Sequence, residues 1–255
     1  MIIDAHVHLY TNDSCNFYGW RPQRELVDRA YEAGIEKIAV SSLGKSHYIG
    51  LPSEEEVRIA NDLVIQLMRE CRQVYGYCYL NPRNSNCKDE LKRCVDVGMI
   101  GIKLWIATEA SSPLVFPIVE AAIKYRIVIL QHCFFRNTGN WVNETSPFDI
   151  ALLAQRYPEA KIIMAHLNAN LPNGVDVVKM LPNVYIDTSG GYMLRTNLEM
   201  AISKIGAERI LYGSDAPGRS FNVQTANVNS ALICQAAKEK ILSTNFLRLI
   251  HNENH

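Results

Sequence analysis

Eight short apolar segments alternate with segments of helical periodicity along this 255-residue chain, and this alternation constrains the fold more than any other feature. The apolar segments are rich in Val, Ile and Leu, as buried parallel strands are. Neighbouring segments are separated by enough residues for the crossover that a parallel connection requires. The predicted strands are 1–8, 37–41, 74–80, 99–105, 127–132, 161–166, 184–188 and 210–215.

The intervening segments carry apolar residues at the spacing of amphipathic helices. Two of them stop at a glycine, Gly34 or Gly98, as helices often do. Short helices are predicted between the last three strands, and the longer predicted helices are 22–33, 57–71, 88–97, 113–125, 147–157, 222–236 and 239–251.

Eight strands alternating with helices predict a parallel sheet of the α/β class. This number of strands favours closure into one (β/α)8 TIM barrel, a single domain over residues 1–255. No Gly-x-Gly-x-x-Gly turn follows an early strand, which argues against an open dinucleotide-binding sheet.

Composition argues against several other classes of protein. Lys and Arg total 26, as do Asp and Glu, so the chain lacks the basic stripe that nucleic-acid binding usually requires. No apolar stretch approaches the ~20 residues of a membrane span, and no N-terminal signal segment is recognisable. Seven cysteines without a Cys-x-x-Cys pair argue against a disulfide framework or a structural zinc knuckle. We therefore expect a soluble, cytoplasmic protein, and the sequence leaves homo-oligomer formation open.

Polar side chains interrupt the apolar strands at or near their C-terminal ends, where barrel enzymes build their active sites. They are His6, His8, Lys103, His132, His166 and Asp215. A set of histidines and an acid placed by several separate strands indicates a metal site. Nitrogen and carboxylate donors fit Zn²⁺ best, with Mn²⁺, Fe²⁺ or Co²⁺ as alternatives.

Alternation of side chains along the first strand predicts which residues point into the barrel. Asp4, His6 and His8 are expected on the inner face, with Ile3 and Ala5 on the outer face. Because Asp4 lies deeper than the histidines, we expect it to be a structural partner and not a ligand.

The same alternation is expected to turn the polar residues of the later strands inward. His166 is predicted to share the inner face of its strand with Ile162 and Met164, and Asp215 to share one with Leu211. A buried Lys103 amine needs a partner, because an unpaired buried charge is costly.

Sequence motifs surround these residues along nearly the whole chain, from residue 4 to residue 249. They are Asp4-Ala-His-Val-His8, Gly101-Ile-Lys-Leu104, His132, Ala165-His-Leu167, Tyr212-Gly-Ser-Asp-Ala-Pro217 and Ile241-Leu-Ser-Thr-Asn-Phe-Leu-Arg-Leu249. Taken together, these motifs resemble those of the amidohydrolase superfamily. The branch that they resemble most is the "amidohydrolase 2" group, which includes aminocarboxymuconate-semialdehyde and resorcylate decarboxylases.

The resemblance implies that one catalytic divalent metal per chain is bound by His6, His8, His132 and Asp215. Asp215 would also contact a metal-bound water and shuttle its proton, a role that agrees with metal-assisted hydrolysis. His166 would polarise a substrate carbonyl or, in a second interpretation, bind a second metal.

Residues around the mouth are predicted to bind the substrate, for which an anion is one option. The predicted set is Lys103, Trp105, Arg136 and Arg219, with Arg83 as a further candidate. For Lys103 three alternatives stay open: an ion pair with Asp4 or Asp187, contact with an anionic substrate, or carboxylation as a bridging ligand. Aromatic residues of the βα loops could cap the mouth, namely Phe17, Tyr18, Trp20, Tyr48, Phe134, Phe135 and Trp141.

The sequence thus predicts a metal-dependent hydrolase of a small ester, lactone or amide. A metal-dependent decarboxylase of a small carboxylic acid is the alternative, because decarboxylases resemble the same motifs. Phosphoester hydrolysis with two metals is a third option, and a non-catalytic binding protein is a fourth.

Overall fold

The computed structural model describes residues 1–11, 22–136, 138–170, 174–190 and 195–251. Its eight strands form one sheet in the order of the sequence, and all neighbouring pairs along that order are parallel. The predicted loop aromatics Phe17, Tyr18 and Trp20 lie outside the described residues. The strands are β1 Ile3–His8, β2 Lys37–Ser41, β3 Val74–Tyr79, β4 Gly101–Leu104, β5 Val128–Gln131, β6 Ile162–Met164, β7 Val184–Asp187 and β8 Ile210–Leu211.

Backbone hydrogen bonds between β1 and the segment that begins with β8 bring the two ends of the sheet together. Ala5 N donates to Tyr212 O over 2.9 Å, His8 N to Ala216 O over 2.7 Å, and Asp215 N to His6 O over 2.8 Å. The sheet is therefore a nearly closed barrel, and the predicted (β/α)8 fold is confirmed.

Helices occupy the connections between the strands, close to the predicted positions. Helix α2 begins before its predicted start at residue 57, because Ser53 and Glu56 form a capping box at its N-terminus. No helix among the described residues is long and apolar enough to cross a membrane. The α-helices are α1 Pro22–Glu32, α2 Glu54–Glu70, α3 Cys87–Asp96, α4 Phe116–Tyr125, α5 Pro147–Arg156, α6 Gly174–Val178, α7 Arg195–Ile205, α8 Phe221–Ser230, α9 Gln235–Glu239 and α10 Asn245–His251.

Two apolar layers hold the fold together. The larger lies between the strands and the helices, and the smaller fills the inside of the barrel. Phe246 and Leu249 of α10 belong to the inner layer and pack with residues at the starts of the strands, such as Ile3. The N-terminal half of the barrel is thus filled with apolar side chains, which leaves the C-terminal half for polar groups.

An irregularity in β1 changes the predicted alternation. Asp4 pairs with Ile38 and Val7 with Val40, so β1 has one residue more than β2 between these pairs, as in a β-bulge. Consequently Ile3 and Ala5 belong to the inner apolar layer, whereas Val7 belongs to the outer one. The prediction that Ile3 and Ala5 face away from the barrel interior is therefore wrong. The extra residue of the bulge shifts the alternation of inward and outward side chains between Ala5 and the histidines.

Candidate active site

His6, His8 and Asp215 bring three ligating atoms together at the C-terminal mouth of the barrel, all within 4.8 Å of one another. Nε2 of His6 lies 3.1 Å from Nε2 of His8. Asp215 Oδ1 is 3.4 Å from His8 Nε2 and 3.8 Å from His6 Nε2. This donor set, two imidazoles and a carboxylate, suits a divalent metal.

Polar groups behind the two histidines orient their rings. His6 Nδ1 lies 2.8 Å from Asp187 Oδ2, and His8 Nδ1 lies 2.9 Å from Ser41 Oγ. Burial raises the pKa of Asp187, but its electrostatic interaction and hydrogen bond with the His6 ring outweigh this effect and bring the pKa to about 2. The ionised Asp187 can only accept a hydrogen bond, so His6 Nδ1 carries the proton and Nε2 offers its lone pair to the centre.

The two rings are neutral, as metal ligands must be. Burial, with the nearby Lys103 charge, lowers the pKa of His6, and the same two causes bring the pKa of His8 to about 3. Burial raises the pKa of Asp215, but its electrostatic interactions with the nearby His166 and His8 rings hold it well below its ordinary value. At neutral pH the centre therefore presents two neutral imidazoles and one carboxylate.

His166 reaches the same mouth by a route that strict alternation does not predict. Ile163 and Ala165, and not Ile162 and Met164, belong to the inner layer. The predicted inner face of β6 is therefore wrong by one residue.

A left-handed backbone conformation at His166, with φ of 67°, changes the course of the chain just after β6. As a result the ring stacks on His6 with centroids 5.8 Å apart, and Nε2 lies 3.7 Å from Asp215 Oδ2. Nδ1 lies 3.1 Å from the carbonyl oxygen of Cys133. Gly190 makes this approach possible, because a Cβ there would lie 3.0 Å from His166 Cβ.

His132 follows β5 and lies beside the centre but outside the group of three. Its ring is perpendicular to that of His166, with centroids 5.0 Å apart. Nε2 of His132 lies 3.0 Å from Glu144 Oε1. The role of His132 as a metal ligand stays a prediction, because His132 is not part of the group of three ligating atoms. Glu144 holds its Nε2, which leaves Nδ1 as the nitrogen that could bind a metal.

Lys103 lies at the floor of the site, where it is 1% exposed. Its Nζ is 2.9 Å from His6 Nε2, and none of the ion pairs found in the described parts of the chain includes it. Burial lowers the pKa of Lys103 to about 8, while the charges of Asp215 and Asp187 oppose this change. The amine is therefore mostly charged at neutral pH.

The acids suggested as partners for Lys103 are engaged elsewhere. Asp4 Oδ1 accepts hydrogen bonds from His6 N over 3.1 Å and Ser214 N over 2.9 Å. Asp187 holds the His6 ring. The ion pair with Asp4 or Asp187 thus does not form, whereas the expected structural role of Asp4 agrees with its contacts.

A cavity of about 250 Å³ opens above these residues. Its floor and sides include Lys103, His8, His132, His166 and Asp215. Aromatic rings form much of the wall: Tyr48, Trp105, Phe134 and Trp141. The cavity suits a small molecule with an apolar face and an anionic end.

The arginines predicted to bind an anion have different environments. Arg136 donates from Nε to Glu144 Oε2 over 2.7 Å and from Nη2 to Oε1 over 3.0 Å. Arg83 donates to the carbonyl oxygen of Ala107. Arg219 is exposed at the rim of the cavity, with no side-chain partner among the described residues. Arg219 is therefore better placed than Arg136 or Arg83 to meet a substrate anion.

Sequence reasoning did not assign a role to Glu144, Ser41 or Ser189. Glu144 is 3% exposed and touches both His132 and Arg136, although it lies in an irregular loop without periodicity. Its sequence signal is weak: an acid in the same loop as a histidine, an arginine and several aromatic residues. Ser41 and Ser189 follow strand ends but carry no distinctive pattern.

The barrel and its mouth of histidines and acids have the architecture of α/β-barrel enzymes and a donor set that suits a divalent metal. The family model described as "Amidohydrolase" (Amidohydro_2) matches residues 3–251. The chain therefore belongs to this amidohydrolase family. A comparison with curated proteins found no match.

Solved structures with the same fold carry several activities. The 2,6-dihydroxybenzoate decarboxylase from Rhizobium is 18% identical, with a TM-score of 0.77 and coverage of 99% of each chain. A dihydroxybenzoic acid decarboxylase from Polaromonas sp. JS666, with bound manganese and the inhibitor 2-nitroresorcinol, is 20% identical, with a TM-score of 0.76 and coverage of 100% of this chain and 98% of that one.

A third chain, from Pseudomonas putida, carries the provisional name 2-pyrone-4,6-dicarboxylic acid hydrolase. It is 15% identical, with a TM-score of 0.72 and coverage of 100% of this chain and 98% of that one. At these identities the likeness establishes the fold.

Proposed function

We propose that this protein is a metal-dependent decarboxylase of a small, planar carboxylic acid that carries a hydroxyl group next to the carboxylate. The observation that carries the proposal is the buried Lys103 amine, which lies beside the His6, His8 and Asp215 group and forms no ion pair with a carboxylate of the described residues. A buried cation in that position is completed by an anionic substrate, because pairing offsets the cost of burying the charge.

The residues present fit a divalent metal. His6 and His8 would each bind through Nε2, and Asp215 through a carboxylate oxygen. When bound, the metal supplies positive charge that polarises substrate oxygens and stabilises developing negative charge. Zn²⁺ and Mn²⁺ both suit this donor set, and the Polaromonas decarboxylase contains manganese.

The shape of the cavity supports a planar substrate. Tyr48 and Trp105 meet edge to face with ring centroids 6.1 Å apart, and the Phe134 ring lies parallel to His132 at 6.4 Å. A volume of about 250 Å³ lies just below the usual range for drug-sized ligands. An aromatic acid between these rings would direct its carboxylate to Lys103 and the ligand group, with Arg219 at the rim.

Asp215 is placed to move the proton that decarboxylation requires. Because its carboxylate starts ionised, it can accept the proton of the substrate hydroxyl and then deliver it to the ring carbon that bears the carboxylate. The carbon–carbon bond to the carboxylate then breaks, its electron pair restores the aromatic ring, and CO₂ leaves. The product oxygen takes up a proton from water, so the sum is one hydroxyaryl carboxylate anion and one proton converted to one hydroxyarene and CO₂.

The test is CO₂ release from hydroxybenzoates by protein loaded with Mn²⁺ or with Zn²⁺, compared with metal-free protein. Lys103→Met is expected to raise KM at least ~10-fold, since hydrogen bonds to charged groups contribute ~1.5–3 kcal/mol. Lys124→Met, an exposed change of the same type on α4, serves as the matched control. Release of no CO₂ from any hydroxybenzoate by the metal-loaded protein would refute the proposal.

Hydrolysis of a small ester, lactone or amide, the first prediction from the sequence, is the second candidate. The observation that favours it is the ionised Asp215 carboxylate, which lies 3.7 Å from His166 Nε2 and could accept a proton from water. The decarboxylases among the similar structures support the first candidate more. Acid production from lactones or amides without CO₂ release would reverse this order.

Phosphoester hydrolysis depends on a second metal. In the described ranges, His6, His8 and Asp215 are the one group of three acidic, histidine or cysteine side chains close enough to share an ion. The geometry therefore gives this third option no separate support.

A further inference from the structure

His132 contacts its hydrogen-bond partner through a different ring nitrogen from the other histidines of the site. His6 is held at Nδ1 by Asp187, His8 at Nδ1 by Ser41, and His166 at Nδ1 by the Cys133 carbonyl oxygen. His132 is held at Nε2, by Glu144 Oε1 at 3.0 Å. The difference matters because a neutral imidazole has one N–H and one lone pair, and its partners decide which nitrogen carries which.

The partners fix the proton on three of these rings. Asp187 is ionised and the Cys133 carbonyl has no proton, so both can only accept. His6 and His166 therefore donate from Nδ1. The Glu144 carboxylate is paired with the Arg136 guanidinium, which donates to it over 2.7 and 3.0 Å, so Glu144 is also an acceptor.

The His132 side chain is buried, and its ring meets the perpendicular His166 ring at a centroid distance of 5.0 Å. A neutral ring that donates from Nε2 must keep its lone pair on Nδ1. His132 thus offers the nitrogen that His6 and His166 do not.

Glu144 also organises the loop that carries the aromatic wall. It accepts two hydrogen bonds from Arg136 and one from the backbone N–H of Trp141 over 3.1 Å. The Arg136 guanidinium lies 3.7 Å from the centroid of the Trp141 ring and 4.9 Å from that of Phe134. Arg136 is therefore engaged by Glu144 and two rings, and its charge is already paired.

We propose that Glu144 is a positioning residue that fixes His132 with its proton on Nε2 and its lone pair on Nδ1, while Arg136 anchors the aromatic wall and does not clamp the substrate. His132 then acts in the site as an acceptor through Nδ1, toward a metal or a substrate hydroxyl. The proposal rests on the proposed function only in treating this cavity as the reacting centre, because the tautomer is measurable without activity.

The test is ¹H–¹⁵N correlation NMR of protein labelled with ¹⁵N-histidine, which distinguishes the protonated ring nitrogen from the other. The signals of His132 are assigned by their loss in His132→Gln. In metal-free wild-type protein at pH 7, we expect the proton of His132 on Nε2 and that of His6 on Nδ1. A His132 proton on Nδ1, or a doubly protonated ring, would overturn the proposal on the wild-type protein alone.

Variants of Glu144 test the cause. Glu144→Leu is expected to lower the ratio of the Nε2-protonated to the Nδ1-protonated His132 tautomer ~10-fold or more, because a hydrogen bond to a charged group is lost. Glu144→Asp, whose shorter side chain cannot span the same distance, provides a second variant if the first does not fold. An unchanged ratio in either folded variant contradicts a positioning role.

Arg136→Met is the matched control for damage to the loop. It should change the fluorescence of Trp141 while the His132 tautomer stays as in the wild type. A tautomer change of the same size in Arg136→Met would mean that the structure of the loop, and not Glu144, determines the tautomer of His132.

Zn²⁺ titration separates this proposal from the proposed function. On adding Zn²⁺ alone, we expect the proton of His132 to stay on Nε2 while the resonance of Nδ1 shifts. Movement of the proton to Nδ1 on Zn²⁺ binding would overturn the proposal. If Zn²⁺ does not bind at all, the metal-dependent function fails, whereas the tautomer measured in metal-free protein still decides the role of Glu144.

Discussion

Asp187→Asn is expected to reverse the proton on the His6 ring and so weaken metal binding. Asp187 Oδ1 accepts backbone hydrogen bonds from His166 N over 2.9 Å and from Ser189 N over 3.0 Å. An asparagine would keep its carbonyl oxygen there, because its amide group cannot accept from these donors. The NH₂ group of the asparagine must then occupy the position of Oδ2 and face His6 Nδ1.

Two donors would face each other if the His6 ring kept its present tautomer. The ring is therefore expected to accept at Nδ1 and to carry its proton on Nε2, which points at the ligand group. Changes in groups that orient a metal-bound histidine typically cost 10–100-fold in metal affinity. We expect a loss of that size for Mn²⁺ or Zn²⁺, equivalent to about 1.4–2.7 kcal/mol.

The assay is equilibrium titration of metal-free protein with Zn²⁺ in competition with a chromophoric chelator, with circular dichroism to confirm that the variant is folded. Asp176→Asn is a matched control, because Asp176 pairs with Lys204 and Lys179 away from the cavity. Its metal affinity should equal that of the wild type. A folded Asp187→Asn protein that binds Zn²⁺ as tightly as the wild type would refute the role assigned to the His6 and Asp187 pair.

Three further changes address the close packing, the pH response and the barrel floor. Gly190→Ala should destabilise the protein by roughly 1–3 kcal/mol in urea unfolding and displace His166, because Gly190 has φ of 107° and no room for a Cβ; wild-type stability would contradict this. Burial raises the pKa of Glu90, but hydrogen bonds from Arg93 and Asn61 hold it below its ordinary value of 4.5. The stability that Glu90 contributes is therefore full above pH 4.5 and is lost as the pH falls through the folded-state pKa. The difference in thermal unfolding temperature between the wild type and Glu90→Gln should accordingly shrink on acidification. A difference that stays constant with pH would contradict this role of the Glu90 carboxylate. Phe246→Ala, at a residue 1% exposed in the inner layer, should lower the free energy of unfolding by ~3–5 kcal/mol in chemical denaturation. A loss below ~1 kcal/mol would show that the packing of α10 with the inner layer does not stabilise the barrel.

The number of strands, their order and the position of the site at one mouth follow from local sequence patterns. Apolar segments of strand length and the helices between them admit few other arrangements, since parallel strands need crossovers and closed sheets have no edges. The polar ends of the strands identify His6, His8 and Asp215 for the same reason, because all parallel strands end at the same mouth.

Other features depend on contacts between residues far apart in the sequence. Strict alternation failed at Ile3 and Ala5, where a bulge adds a residue, and at His166, where a left-handed conformation redirects the chain. Neither a bulge nor a positive φ at a non-glycine residue has a strong local signal. Both are stabilised by hydrogen bonds and packing that form only in the closed barrel.

The sequence by itself therefore determined the barrel, its mouth and most of the chemistry-bearing residues. Only the tertiary structure decided how those residues are paired: Lys103 with the His6 ring, Arg136 with Glu144, and His132 held at Nε2. The physical reason is that the period of a strand fixes the direction of a side chain locally, whereas its partner is supplied by irregular loops whose conformation depends on the whole fold.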